Sequence, residues 1–193
     1  MTDAQQTTST VPPDDGARPL FLAGPDDPGV RHIAMVGDTY TILLSGEDTG
    51  GRFALIDMLI PAGNGPPAHR HDFDEMFHVL EGEIEVTYRG QTSHVRAGQT
   101  ANVPANAPHA FRNAGDQTVR LLCMVSPAGL EEYFAEVGDA VQSRTSPAPE
   151  LDEAEAAARM ARPRASPRST GSRSCRRADP APPTERSSST PTG

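Results

Sequence analysis

From about residue 20 to residue 127, short runs of alternating apolar and polar residues recur between Gly, Asp and Pro. The runs are VRHIAMV, TYTILLS, RFALIDMLI, EMFHVL, EIEVTYRG, TSHVRA, TANVP, HAFRN and TVRLLCMVS. Successive side chains on a strand point to opposite faces, so this alternation buries one face of a sheet. Many short strands with turn residues between them predict an all-β sandwich or barrel. Glu83 to Arg89, followed by Gly90 and the Thr92–Val95 run, predicts a hairpin. After Pro127 the period changes. GLEEYFAEVG sets Leu130, Tyr133, Phe134 and Val137 at helical spacing, and Gly138 is a stop signal. One short amphipathic helix packed outside the barrel is therefore expected. A second helical stretch, rich in Ala and Glu, is expected at about 150–161.

The flanks have nothing comparable to bury. Residues 1–18 are Thr, Pro, Asp and Gln-rich and read as a disordered arm ahead of a domain at 19–140. Residues 141–161 are expected as a marginal helical segment, and 162–193 contain no aromatic, Leu, Ile or Val. That tail reads in two ways, as a natural disordered segment or as the product of a frameshift in GC-rich coding DNA. A chain of 193 residues suits one domain with its own core.

Charge and composition narrow the function. All 17 basic residues are Arg, so Schiff-base chemistry on a Lys side chain is excluded. Eight of these arginines fall in 159–193 against two acids, a local charge of +6 that leaves −15 on the rest. An acidic body repels phosphate backbones and argues against a nucleic-acid partner. No apolar run approaches the length that spans a membrane. The start, MTDAQQTTSTVPPDDG, lacks a basic n-region and an apolar h-region, which predicts a cytoplasmic protein. Cys123 and Cys175 are too few for a disulfide framework or thiolate cluster, and Cys123, in LLCMV, reads as a buried filler.

Candidate chemistry is concentrated in residues 63–82, GNGPPAHRHDFDEMFHVLEG. His69 and His71 lie two apart and share a face of a strand, with Arg70 pointing away. Glu75 follows after a DFD bend, on a strand whose inward set is Glu75, Phe77 and Val79. Some 30 residues later, VPANAPHAFRN supplies His109, with Phe111 on the same face. Three neutral imidazoles and a carboxylate suit Fe, Mn, Co, Ni, Cu or Zn and match Mg or Ca poorly. Phe77 and Phe111 read either as walls of a substrate pocket beside the metal or as barrel core. His32, His78 and His94 read as surface or interface histidines, and Glu81, Glu83 and Glu85 as a solvated strand face.

These residues resemble the cupin superfamily. Gly63, His69, His71, Glu75 and Gly82 fill every fixed position of its first motif, G-x5-H-x-H-x3,4-E-x6-G. Gly98, Pro104, His109 and Asn113 match the second, G-x5-P-x-G-x2-H-x3-N, with Asn106 where the family has Gly. Asn tolerates the left-handed conformation that such a turn requires. The resemblance covers about 30–127 and implies a jelly-roll-like barrel holding one divalent transition metal on His69, His71, Glu75 and His109. It further implies similarity to small quercetin 2,3-dioxygenase-type cupins, with Glu75 as the base that takes a substrate hydroxyl proton. A chelating enol, phenol or flavonol-like small molecule would be the substrate, and a homodimer the working unit. The alternatives are a Lewis-acid isomerase, lyase or decarboxylase, and a non-catalytic small-molecule-binding cupin.

Overall fold

The computed structural model describes residues 19–146, together with Gly16 and the backbone of Arg176–Arg177. The helical stretch expected at 150–161 lies outside the described residues, as do most of the arm and tail.

The alternating runs become strands: β1 (Arg31–Met35), β2 (Asp38–Leu44), β3 (Ala54–Ile60), β4 (His69–Arg70), β5 (Asp74–Glu81) and β6 (Glu83–Tyr88). The series continues with β7 (Gln91–Arg96), β8 (Thr100–Val103), β9 (His109–Arg112) and β10 (Val119–Ser126). Two short strands, β11 (Asp139–Val141) and β12 (Arg176–Arg177), complete the set. They form a seven-stranded sheet, β11-β1-β2-β3-β10-β5-β8, and a five-stranded sheet, β12-β4-β9-β6-β7. Every pairing is antiparallel.

Alternation decides which side chains fill the space between the sheets. On β10, Val119, Leu121, Cys123 and Val125 are buried while Arg120, Leu122 and Met124 are only partly covered. Ile56, Ile60, Phe77, Val79, Ile84, Leu121, Cys123 and Val125 have no exposed surface. Burial at this level stabilises by about 1.5–3 kcal/mol per large side chain. The expected hairpin is present: Tyr88 pairs with Gln91 across the two-residue turn Arg89–Gly90, both at positive φ (49° and 82°). Two positive-φ residues give the turn whose twist matches that of paired strands.

The expected helix, α2 (Leu130–Val137), buries Leu130 and Phe134 and ends at Gly138. The sequence reading does not anticipate a one-turn helix, α1 (Gly46–Thr49), closed by a capping box between Ser45 and Asp48. It also predicts no element in the tail, yet Arg176–Arg177 pair with Arg70 and His69 on the edge of β4. An edge strand presents unpaired backbone groups that a passing segment can meet.

Two special backbone positions shape the loops around β4 and β9. Gly65 has φ 147°, and a Cβ there would run into the Phe111 carbonyl oxygen, so only glycine fits. Asn106, which stands where the motif has Gly, takes the left-handed conformation at φ 64°.

Candidate metal centre

The inner faces of the two sheets meet at four side chains. His69 on β4 and His109 opening β9 are directly paired neighbours in the five-stranded sheet. Glu75, near the start of β5, comes from the seven-stranded sheet, paired with Val125 and Val103. His71 sits in the connection between them. One donor atom from each of the four lies within 4.8 Å of all the others. His71, Glu75 and His109 are buried and His69 is half-buried, so the group has one side toward solvent.

Each imidazole is held the same way. His71 Nδ1 lies 2.8 Å from the Phe73 carbonyl, His109 Nδ1 3.0 Å from Ala107 and His69 Nδ1 2.8 Å from Pro67. A carbonyl can only accept, so each Nδ1 carries the proton and donates it. In the neutral ring this leaves Nε2 with its lone pair. The Nε2 atoms of His71 and His109 lie 2.9 and 3.0 Å from Glu75 Oε2. Burial pushes the Glu75 carboxyl up, but the neighbouring His109 and His71 outweigh it and bring the group to about 2. Burial, and then the neighbouring His109, lower the His69 pKa. For His109 burial lowers the pKa, but closeness to Glu75 and the bond to the Ala107 carbonyl prevail and raise it.

Imidazole lone pairs converging on an ionised carboxylate repel one another unless a cation lies among them. A proton on one ring satisfies part of this arrangement. A divalent transition metal satisfies all of it, with imidazole and carboxylate donors of the right type and outer Nδ1–H···O=C bonds fixing the tautomers. The donor set therefore fits the metal that the sequence implies.

All four predicted ligands come together. Phe77 and Phe111, read as pocket walls or core, pack on each other with ring centroids 4.8 Å apart and belong to the buried core. His32, His78 and His94 lie elsewhere, bonded to Thr41, Thr100 and Glu83 respectively. Glu83 also meets Arg96, and Glu85 meets Arg112. Asn113 is fully buried and structural: Nδ2 donates to the Ile60 and Gln117 carbonyls, and Oδ1 accepts from Gly115 N.

Sequence reasoning missed two neighbours of the site. Phe73 stacks on His71 with centroids 3.8 Å apart and rings 4° from parallel. Its place between His71 and Glu75 was the available signal. Cys123, a buried filler as expected, also places Sγ 3.4 Å from Glu75 Oε1. Alternation in LLCMV turned it inward, but only strand order could put it beside Glu75.

Residues 56–125 match the family described as Cupin domain. Quercetin 2,3-dioxygenase of Bacillus subtilis is 29% identical over 100 residues, covering 51% of this chain and 29% of that protein. Polyketide synthase CurC of Streptomyces cyaneus is 40% identical over 60 residues, covering 31% of this chain and 39% of that protein. The chain thus spans less than half the length of either relative. Among solved structures, the polyketide cyclase RemF of Streptomyces resistomycificus superposes with a TM-score of 0.50 at 20% identity. That match covers 71% of this chain and 90% of RemF and speaks for the fold.

Proposed function

We propose that this chain, whose residues 56–125 match the Cupin domain family, is a metal-dependent enzyme, a dioxygenase acting on a small chelating enol, phenol or flavonol-like molecule. The observation that carries the proposal is the convergence of three Nδ1-anchored imidazoles on the ionised Glu75. His69, His71, His109 and Glu75 Oε2 would hold the metal. When bound, the metal supplies a Lewis-acidic centre and, if redox-active, a route for reaction with oxygen.

The chain's own residues do the rest. The fixed tautomers keep the Nε2 lone pairs inward without reorganisation. The barrel around Phe77 and Phe111 excludes water from the inner side of the cluster, so substrate approaches from the side of half-buried His69. Glu75, besides holding the metal, would serve as the base for a substrate hydroxyl proton. The similarity to a quercetin 2,3-dioxygenase supports dioxygen and a flavonol-like molecule as the substrates.

A second reading, an oxygen-independent Lewis-acid step of the isomerase, lyase or decarboxylase kind, is favoured by the stretch shared with the polyketide synthase CurC. Oxygen uptake measured against flavonols and diketones separates the two. Substrate-dependent uptake supports the dioxygenase. Substrate turnover under anaerobic conditions overturns it in favour of the second reading, and saturable binding without turnover overturns both.

A further inference from the structure

We infer that Cys123 is a positioning residue for the metal centre: its thiol holds Oε1 of Glu75 and leaves Oε2 as the one carboxylate oxygen offered to the ion. This rests on the metal-centre reading above and assigns a task to a residue outside the ligand set.

Register places the thiol there. On the adjacent antiparallel strands β10 and β5, Val125 pairs with Glu75 and Cys123 with Phe77, so Cys123 sits one inward position along from the ligand. The thiol is completely buried, and its S–H donates to Oε1 over 3.4 Å. The other oxygen, Oε2, lies 2.9 and 3.0 Å from the two imidazole nitrogens. The carboxylate is thus divided, with one oxygen facing the histidines and the other facing a neutral donor in the core.

An ionised carboxylate only accepts, and leaving one of its oxygens unmatched in a dry core is unfavourable. Without a donor at Oε1, the carboxylate gains by rotating both oxygens toward a cation. The thiol opposes that rotation. Being a weak donor, it does so while leaving the charge on Oε2 largely available. Outer partners of metal ligands act in this way and typically matter about 10–100-fold in metal affinity.

The test is titration of the chelator-stripped full chain with Co(II) alone, following the visible d–d bands. Cys123→Ala and Cys123→Val should weaken Co(II) binding about tenfold and shift the band pattern as the carboxylate changes its mode. Cys123→Ser, which keeps a donor, should stay near the unmodified protein in both readouts. Ile56→Val, which trims the core beside Cys123 on β3, should leave both unchanged and so controls for loss of packing. If the Ala and Val variants keep the affinity and spectrum while Glu75→Ala loses binding, the inference is overturned and the metal centre stands. If the unmodified protein takes up no Co(II), the metal centre itself fails and the inference with it.

Discussion

The backbone N–H of Asn106 donates to the carbonyl of His71 at 2.6 Å. This single bond ties the loop of the second motif to a ligand of the first. It forms because Asn106 takes a left-handed conformation, φ 64°. A β-branched side chain is disfavoured there by about 1–2 kcal/mol. Asn106→Val should therefore loosen His71 and reduce metal occupancy, while Asn106→Gly should keep it. Equal metal content in the two variants would show that the turn does not govern the ligand.

Metal content itself is the next expectation. Protein isolated without an affinity tag should carry about one transition metal per chain by elemental analysis. His69→Ala or His109→Ala should sharply lower that figure while far-UV circular dichroism retains the β signal. Unchanged occupancy in both variants would remove the ligand assignment.

Asp38 gives a pH dependence separate from the metal. It is buried, accepts hydrogen bonds from Tyr40 Oη and Asn64 Nδ2, and burial raises its carboxyl from 3.8 to about 6. A raised acid pKa means that the folded state holds the proton more tightly than the unfolded chain. The stability it contributes is full below the unfolded value and is lost as pH rises through about 6. A shift of two units corresponds to at most about 3 kcal/mol. Asp38→Asn keeps a polar partner and removes the titration. Its melting temperature relative to the unmodified protein should rise by several degrees between about pH 4 and pH 7. A difference that does not change with pH would contradict this account.

Glu131 is a buried carboxylate with a structural task. Oε1 accepts from Gly46 N at 2.7 Å and Oε2 from Gly129 N at 2.8 Å, so one side chain joins the N-termini of α1 and α2. Hydrogen bonds to a charged group contribute about 1.5–3 kcal/mol each. Glu131→Ala should lower stability by about 2 kcal/mol or more, read as a lower urea midpoint, and Glu131→Gln by less. Equal midpoints would mean that the clip is solvent-compensated.

A homodimer remains the expected working unit. Met76, Leu80, Leu122 and Met124 alternate with the buried residues of β5 and β10, stay partly exposed, and share the outer face of the larger sheet. A second copy laid on that face would remove them from water. Light scattering at micromolar concentration should return twice the mass of the chain. A monomer mass rules the dimer out.

The sequence alone determined β1 to β10, because alternation is a local consequence of one buried face, but not the short strands β11 and β12. It determined α2 through a change of period, and pointed to the four candidate ligands through His, His, Glu and His at motif spacing. It did not determine α1, whose capping box is a four-residue signal without an apolar stripe. Nor could it give Glu131 its task, since a Glu in the first turn of a helix is ordinarily a solvated charge. Only strand order decided that Cys123 faces Glu75 across β10 and β5, 48 residues apart in the chain. Loop closure alone decided that carbonyls two residues from each histidine set its tautomer. Local periodicity fixes which face a side chain takes. Which other side chain it then meets depends on the pairing of distant strands, and the polar contacts around Glu75 arise there.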